Sequence, residues 1–140
     1  MKGRIGAAAL TLTVGTLAAL GAGCGGSDGK DSERAERSGT PRQAIKEIAA
    51  TRAGLHAALA TYRGGDAKRA GTQVGDAYLA HFEHVEGPLE RVNEDLTEEL
   101  EDGIRETLRN RIEAGAPAAE IARLVRRIDA QLDEAAAALR

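Results

Sequence analysis

Beyond residue 40 the apolar side chains fall into four stripes separated by three breaks. Ile45, Ile48, Leu55, Leu59 and Tyr62 form the first. Val74, Tyr78, Phe82 and Val85 form the second, and Leu96, Leu100, Ile104, Leu108 and Ile112 the third. Ile121, Leu124, Val125, Ile128, Leu132 and Leu139 form the fourth. Recurrence at three and four residues is the spacing of one helix face, so each stripe predicts an amphipathic helix with one buried side. The breaks are Gly64-Gly65, Gly87-Pro88 and Gly115-Ala116-Pro117. Glycine frees the backbone to leave a helix, and proline removes a donor and clashes with the preceding turn. Gly87-Pro88 is therefore expected to stop or kink the second helix, leaving a short piece from Leu89 to Val92.

Start signals sit beside the breaks. Thr40-Pro41 offers an N-cap with proline at the first helical position. Asp66 is placed to cap the second helix. Asp95, with Glu98 three residues on, resembles a capping box for the third. Short connections favour antiparallel neighbours, so the expected fold is all-α, an antiparallel four-helix bundle over residues 41–140.

The first 40 residues carry no such period. "MKGRIGAAALTLTVGTLAALGAGCGG" has two early cations, an uncharged apolar run and then Cys24, the chain's one cysteine. That order predicts a secretory signal over residues 1–23, with a retained transmembrane anchor as the competing expectation. A lone cysteine has no disulfide partner within the chain. Following Leu20-Gly21-Ala22-Gly23, Cys24 resembles the acylated cysteine of a bacterial lipoprotein, so its expected role is lipidation, with palmitate-type chains anchoring it to a bilayer. A free thiol is the alternative. Residues 24–40 are Gly, Ser and charge, the composition of a flexible tether.

Composition narrows the function. Aromatic residues are 2% of the chain and tryptophan is absent, so bases would have few stacking platforms. Net charge is −3, and losing Lys2 and Arg4 with the signal takes it to about −5, a poor start for binding phosphate backbones. No nucleic-acid partner is expected. No Gly-rich phosphate loop, zinc-type cysteine set or nucleophile–base pair stands out, so no catalytic residue is assigned and the chain is not expected to be an enzyme.

One stretch carries candidate chemistry, "YLAHFEHVEGPLE" from Tyr78 to Glu90. On a helix Glu83 and Glu86 are three residues apart and share a side, so both carboxylates can reach one cation. His81 and His84 share another. At about 100° per residue, the glutamates lie near 80–140° from Tyr78 and the histidines near 240–300°. One straight helix cannot bring all four to one ion. Glu83 and Glu86 would recruit His56 from the first helix and Glu101 from the third. Carboxylates with one imidazole suit iron or manganese, whereas calcium would want more oxygens. Tyr78, Phe82 and Val85 are assigned to the core. His81 is expected as a packed, hydrogen-bonded histidine, and His84 in solvent. Glu-x-x-Glu is also ordinary in charged helices, where it is only surface charge.

The order "HAALATYRGGDAKRA", "AYLAHFEHVEGPLE" and "DLTEELEDGI", followed by a Gly-Pro break and a final amphipathic helix, resembles a known module. It is similar to the extracytoplasmic helical domain preceding the membrane part of bacterial high-affinity iron permeases of the oxidase-dependent type. The resemblance covers residues 56–139. It rests on Tyr62 before Gly65-Asp66, on Tyr78 with Phe82-Glu83 and Val85-Glu86, and on Leu100-Glu101. A bulky aromatic expected near Ile104 is missing, and His81 and His84 have no counterpart. The resemblance implies that Glu83, Glu86 and Glu101 are the acidic residues to examine for iron.

Together these features predict an extracytoplasmic lipoprotein held on the outer face of the cytoplasmic membrane. It would bind iron or a similar cation and assist a separate iron permease. The alternative is an envelope lipoprotein that docks another protein and holds no metal.

Overall fold

The computed structural model describes residues 39–140. The expected signal, Cys24 and most of the tether lie outside them. The described residues are helical and contain no strand, and they form four helices joined by short turns. Helix α1 is Pro41–Arg63. Helix α2 spans residues 67–90 as Ala67–Ala77, a π-helical turn Tyr78–Phe82, and Glu83–Glu90. Helix α3 spans residues 94–113 in the same manner, with a π-helical turn at Gly103–Leu108. Helix α4 is Ala118–Ala138. Among the described residues no helix is long and apolar enough to cross a membrane.

The helix starts follow the chemistry of their caps. The Thr40 hydroxyl accepts from the Gln43 amide at 3.2 Å, and Asp66 accepts from Arg69 at 2.9 Å. Each satisfies an amide that the helix cannot pair internally. Gly65 at φ 93° and Gly115 at φ 70° close α1 and α3 in the left-handed region that glycine tolerates. The cap of α3 is Asn93, not Asp95: the Asn93 side chain accepts from Leu96 N at 3.1 Å. Asp95 lies inside the first turn, beside the positive end of the helix dipole.

Gly87-Pro88 does not end α2, which continues to Glu90. Pro88 falls in the last turn, so its missing donor costs one bond just before the helix would end anyway. The spot is also covered. A β-carbon at Gly39 would stand 3.3 Å from the His84 carbonyl oxygen and 3.5 Å from Pro88 Cγ. The Gly39 carbonyl itself accepts from Arg91.

The two π-helical turns explain how the stripes stay buried. Leu96, Leu100, Ile104, Leu108 and Ile112 are spaced by four throughout, and each is at most 4% exposed. On a regular helix each step of four drifts about 40°, which would carry Ile112 roughly 160° from Leu96. A turn closed by i→i+5 bonds is wider and takes back that drift. Ala70, Val74, Tyr78 and Phe82 are another run of fours, and α2 widens there too.

The core lies between the four helices. Helix α1 packs against α2 and α4, and α3 packs against α2 and α4. Phe82, Leu55, Leu89, Leu100, Ile104 and Leu132 are fully enclosed, each contributing about 1.5–3 kcal/mol of transfer free energy. Small residues bring α1 and α2 close: a β-carbon at Gly54 would fall 2.6 Å from Ala77 Cβ. Tyr62 packs against the core and donates from its hydroxyl to the Ala116 carbonyl at 2.6 Å.

Candidate functional site

The C-terminal half of α2 and the N-terminal half of α3 border a cleft of about 410 Å³. Helix α2 contributes Glu83, Glu86 and Glu90, and α3 contributes Glu94, Glu98 and Glu101. The spacing of three and four in each set keeps the carboxylates on one side of its helix, next to the buried Val85, Leu89, Leu96 and Leu100. Glu83, Glu86 and Glu101 are thus brought to one place, as their sequence positions suggested. Glu90, Glu94 and Glu98 belong with them. Two glutamate series at matching helical spacing, on either side of one short turn, were the available signal for these three.

Each π-helical turn sends one residue to the floor of the cleft, Tyr78 from α2 and Arg105 from α3. The Arg105 guanidinium stands 5.1 Å from the Tyr78 ring centroid, a cation–π arrangement. Arg105 also donates to Glu101, and the Tyr78 hydroxyl donates to Glu86. Eight residues of regular helix rise about 12 Å. The wider turn between Tyr78 and Glu86 shortens that separation and lets the two side chains meet.

Electrostatics follow from this crowding. Burial pushes the Glu86 carboxyl above its ordinary value; the Tyr78 hydrogen bond opposes that, the Glu101 and Glu83 carboxylates add to it, and Arg105 opposes it. Burial, the bond to Glu86 and the nearby carboxylates hold the Tyr78 hydroxyl well above the usual tyrosine range. Tyr78 is therefore a donor at any physiological pH. Among the described residues Arg105 is the one cation lining the cleft.

His56 does not join this group. It lies on α1 with its Nε2 2.8 Å from Asp129 Oδ2 of α4. Arg52, one turn earlier, pairs with the same aspartate and with Asp133. This ion-pair network joins α1 to α4, away from the cleft between α2 and α3. The rotation that places His56 at the margin of its stripe left open which neighbour that margin faces, and α4 takes it. His81 Nδ1 stands 2.9 Å from Glu47 Oε2, a hydrogen bond between α2 and α1, and His84 is exposed.

Among the described residues no three His, Cys, Asp or Glu side chains stand close enough to hold one metal ion as they are oriented here. Two of the cleft carboxylates are directed instead to Tyr78 and Arg105. The donors offered are carboxylate and phenol oxygens, hard ligands that suit Fe, Mn, Mg or Ca rather than thiophilic metals. No protein-family model, curated protein or solved structure matches the chain.

Proposed function

We propose that this chain is a membrane-tethered extracytoplasmic protein that takes up iron or a similar cation in the cleft between α2 and α3 and assists its uptake by a separate permease. The observation that carries this is the convergence of six glutamates from two helices on one cleft whose lining, among the described residues, holds a single cation, Arg105. Concentrated charge of one sign beside low-dielectric walls raises the local concentration of counter-ions. Glu83, Glu86 and Glu101 would be the first ligands, with Glu90, Glu94 and Glu98 drawing the ion in. Loading would require Glu86 to turn from Tyr78 and Glu101 from Arg105. His56 has no part in it. Acylated Cys24 would be the anchor.

The domain carrying the cleft would be an antiparallel four-helix bundle. The short turns and the packing of α1 and α3 each against both α2 and α4 support that order. A metal-free interaction lipoprotein is the second reading. It is favoured by the same Tyr78 and Arg105 bonds, because they already satisfy two carboxylates.

Thermal unfolding of the full chain with ferrous, ferric or manganous ion separates the two. A ligand of the folded state at a hundredfold excess over its Kd adds about 2.7 kcal/mol, which raises the Tm of a domain this size by roughly 10 °C or more. The rise should vanish when Glu83 and Glu86 are both changed to Gln. No rise with any of the three ions sinks the metal reading, and a rise that survives the double change moves the site elsewhere.

A further inference from the structure

A second groove, about 690 Å³ in volume and mostly apolar, runs along the N-terminal half of α2 and is bordered by α3 at Arg109 and Glu113. Its floor is unusually bare. Gly75 leaves open space where a side chain would stand, with nothing within 4 Å of a β-carbon placed there. One end carries Leu79, 59% exposed and the most exposed large hydrophobic among the described residues. The outward positions Lys68, Thr72, Gly75 and Leu79 step by four, three and four, the spacing of a helix–helix seam. Lys68 at one end of this stripe and Asp76 beside its other half carry opposite charge, so the face is complementary to a second copy of itself run the opposite way.

We propose that this groove is where two copies of the chain associate, α2 against α2 and antiparallel about a two-fold axis near residues 73 and 74. In that register Leu79 of each copy lies opposite Lys68 of the other, and Thr72 lies opposite Gly75. The methylene stem of Lys68 covers the leucine. Its ammonium then reaches the partner's Asp76, three residues and one turn from that leucine. Lys68 and Asp76 are both exposed, and among the described residues neither has an ion-pair partner, whereas Arg109 and Glu113 on the rim pair with each other at 2.9 Å. A parallel arrangement would set Lys68 against Lys68 and Asp76 against Asp76, so charge selects the antiparallel one. A two-fold axis makes each of these contacts twice and closes the assembly at two copies. The occupant is thus a second α2 of this same chain.

The test is sedimentation velocity of the full chain, in a detergent matched for density, over a range of concentrations. The wild type should show a dimer that dissociates on dilution. Gly75→Leu fills the hole from a position where a β-carbon meets nothing within 4 Å, and it replaces glycine with a stronger helix former. It should lose the dimer while keeping its helical circular dichroism. Lys68→Asp should also lose the dimer, and the exchange Lys68→Asp with Asp76→Lys should restore it. A wild type that stays monomeric throughout, or a Gly75→Leu chain that still dimerises, overturns the proposal. Failure of the double exchange to restore association overturns the antiparallel register.

Discussion

Glu86 is where burial, like charge and a hydrogen bond meet on one side chain. In the unfolded chain it titrates in the ordinary carboxylate range; in the folded domain burial lifts it above that range. Between the two values the folded state holds more proton, so stability falls as pH rises through that window, and the loss is complete above the folded value. Glu86→Gln removes the titration and keeps an oxygen that can accept from Tyr78. Its Tm at neutral pH is expected at or above wild type, and the fall of Tm across that window should flatten. Unfolding scans between weakly acid and neutral pH check this, and a wild-type slope in the variant would count against it. The sequence pointed to Glu83, Glu86 and Glu101 because helical spacing and a resemblance both speak about one face of a helix. It could not place His56, because one residue at the edge of a stripe has two neighbouring helices to face. Asp129 of α4 settles the matter, holding both His56 and Arg52 of α1.

At the scale of the element, the four stripes located the helices and most of the core, whereas the joints were less well marked. Asp95 looked like a cap because Glu98 completed a familiar pattern, yet Asn93 lies at the turn itself and its short amide reaches the Leu96 amide. Pro88 looked like a stop because its rule concerns a helix interior, and here it meets a final turn. The π-helical turns were present in the sequence as unbroken spacings of four, which a fixed rotation of 100° per residue treats as drift. Close packing makes its own demands. Alanine in place of a helical glycine ordinarily stabilises by about 0.5–1 kcal/mol. At Gly54 the added methyl would meet Ala77 Cβ at 2.6 Å, so α1 and α2 would have to separate. Gly54→Ala is expected to cost about 1–3 kcal/mol in urea unfolding instead. A neutral or stabilising result would mean that the two helices part easily.

Across the molecule, the net charge conceals the charge distribution. The whole chain carries only −3, a weak field at any distance. Six carboxylates on one cleft, with arginines 123, 126 and 127 exposed on α4, make a strongly uneven surface. An attraction that depends on this unevenness is short-ranged and weakens as salt screens it, within about 10 Å at 0.1 M ionic strength.

The wide turns at Tyr78–Phe82 and Gly103–Leu108 lie at the same level on adjoining helices. At the end of the first, the Glu83 amide reaches back five residues to the Tyr78 carbonyl; at the end of the second, the Arg109 amide turns to the Glu106 carbonyl. Backbone amides in these two turns should therefore exchange with deuterium sooner than those one turn to either side, although Phe82 and Leu108 are buried. Uniform protection along α2 and α3 would show the turns to be as firm as the rest. Early exchange at both would mean that the domain breathes first at the floor of its acidic cleft, where Tyr78 and Arg105 must let go of their glutamates.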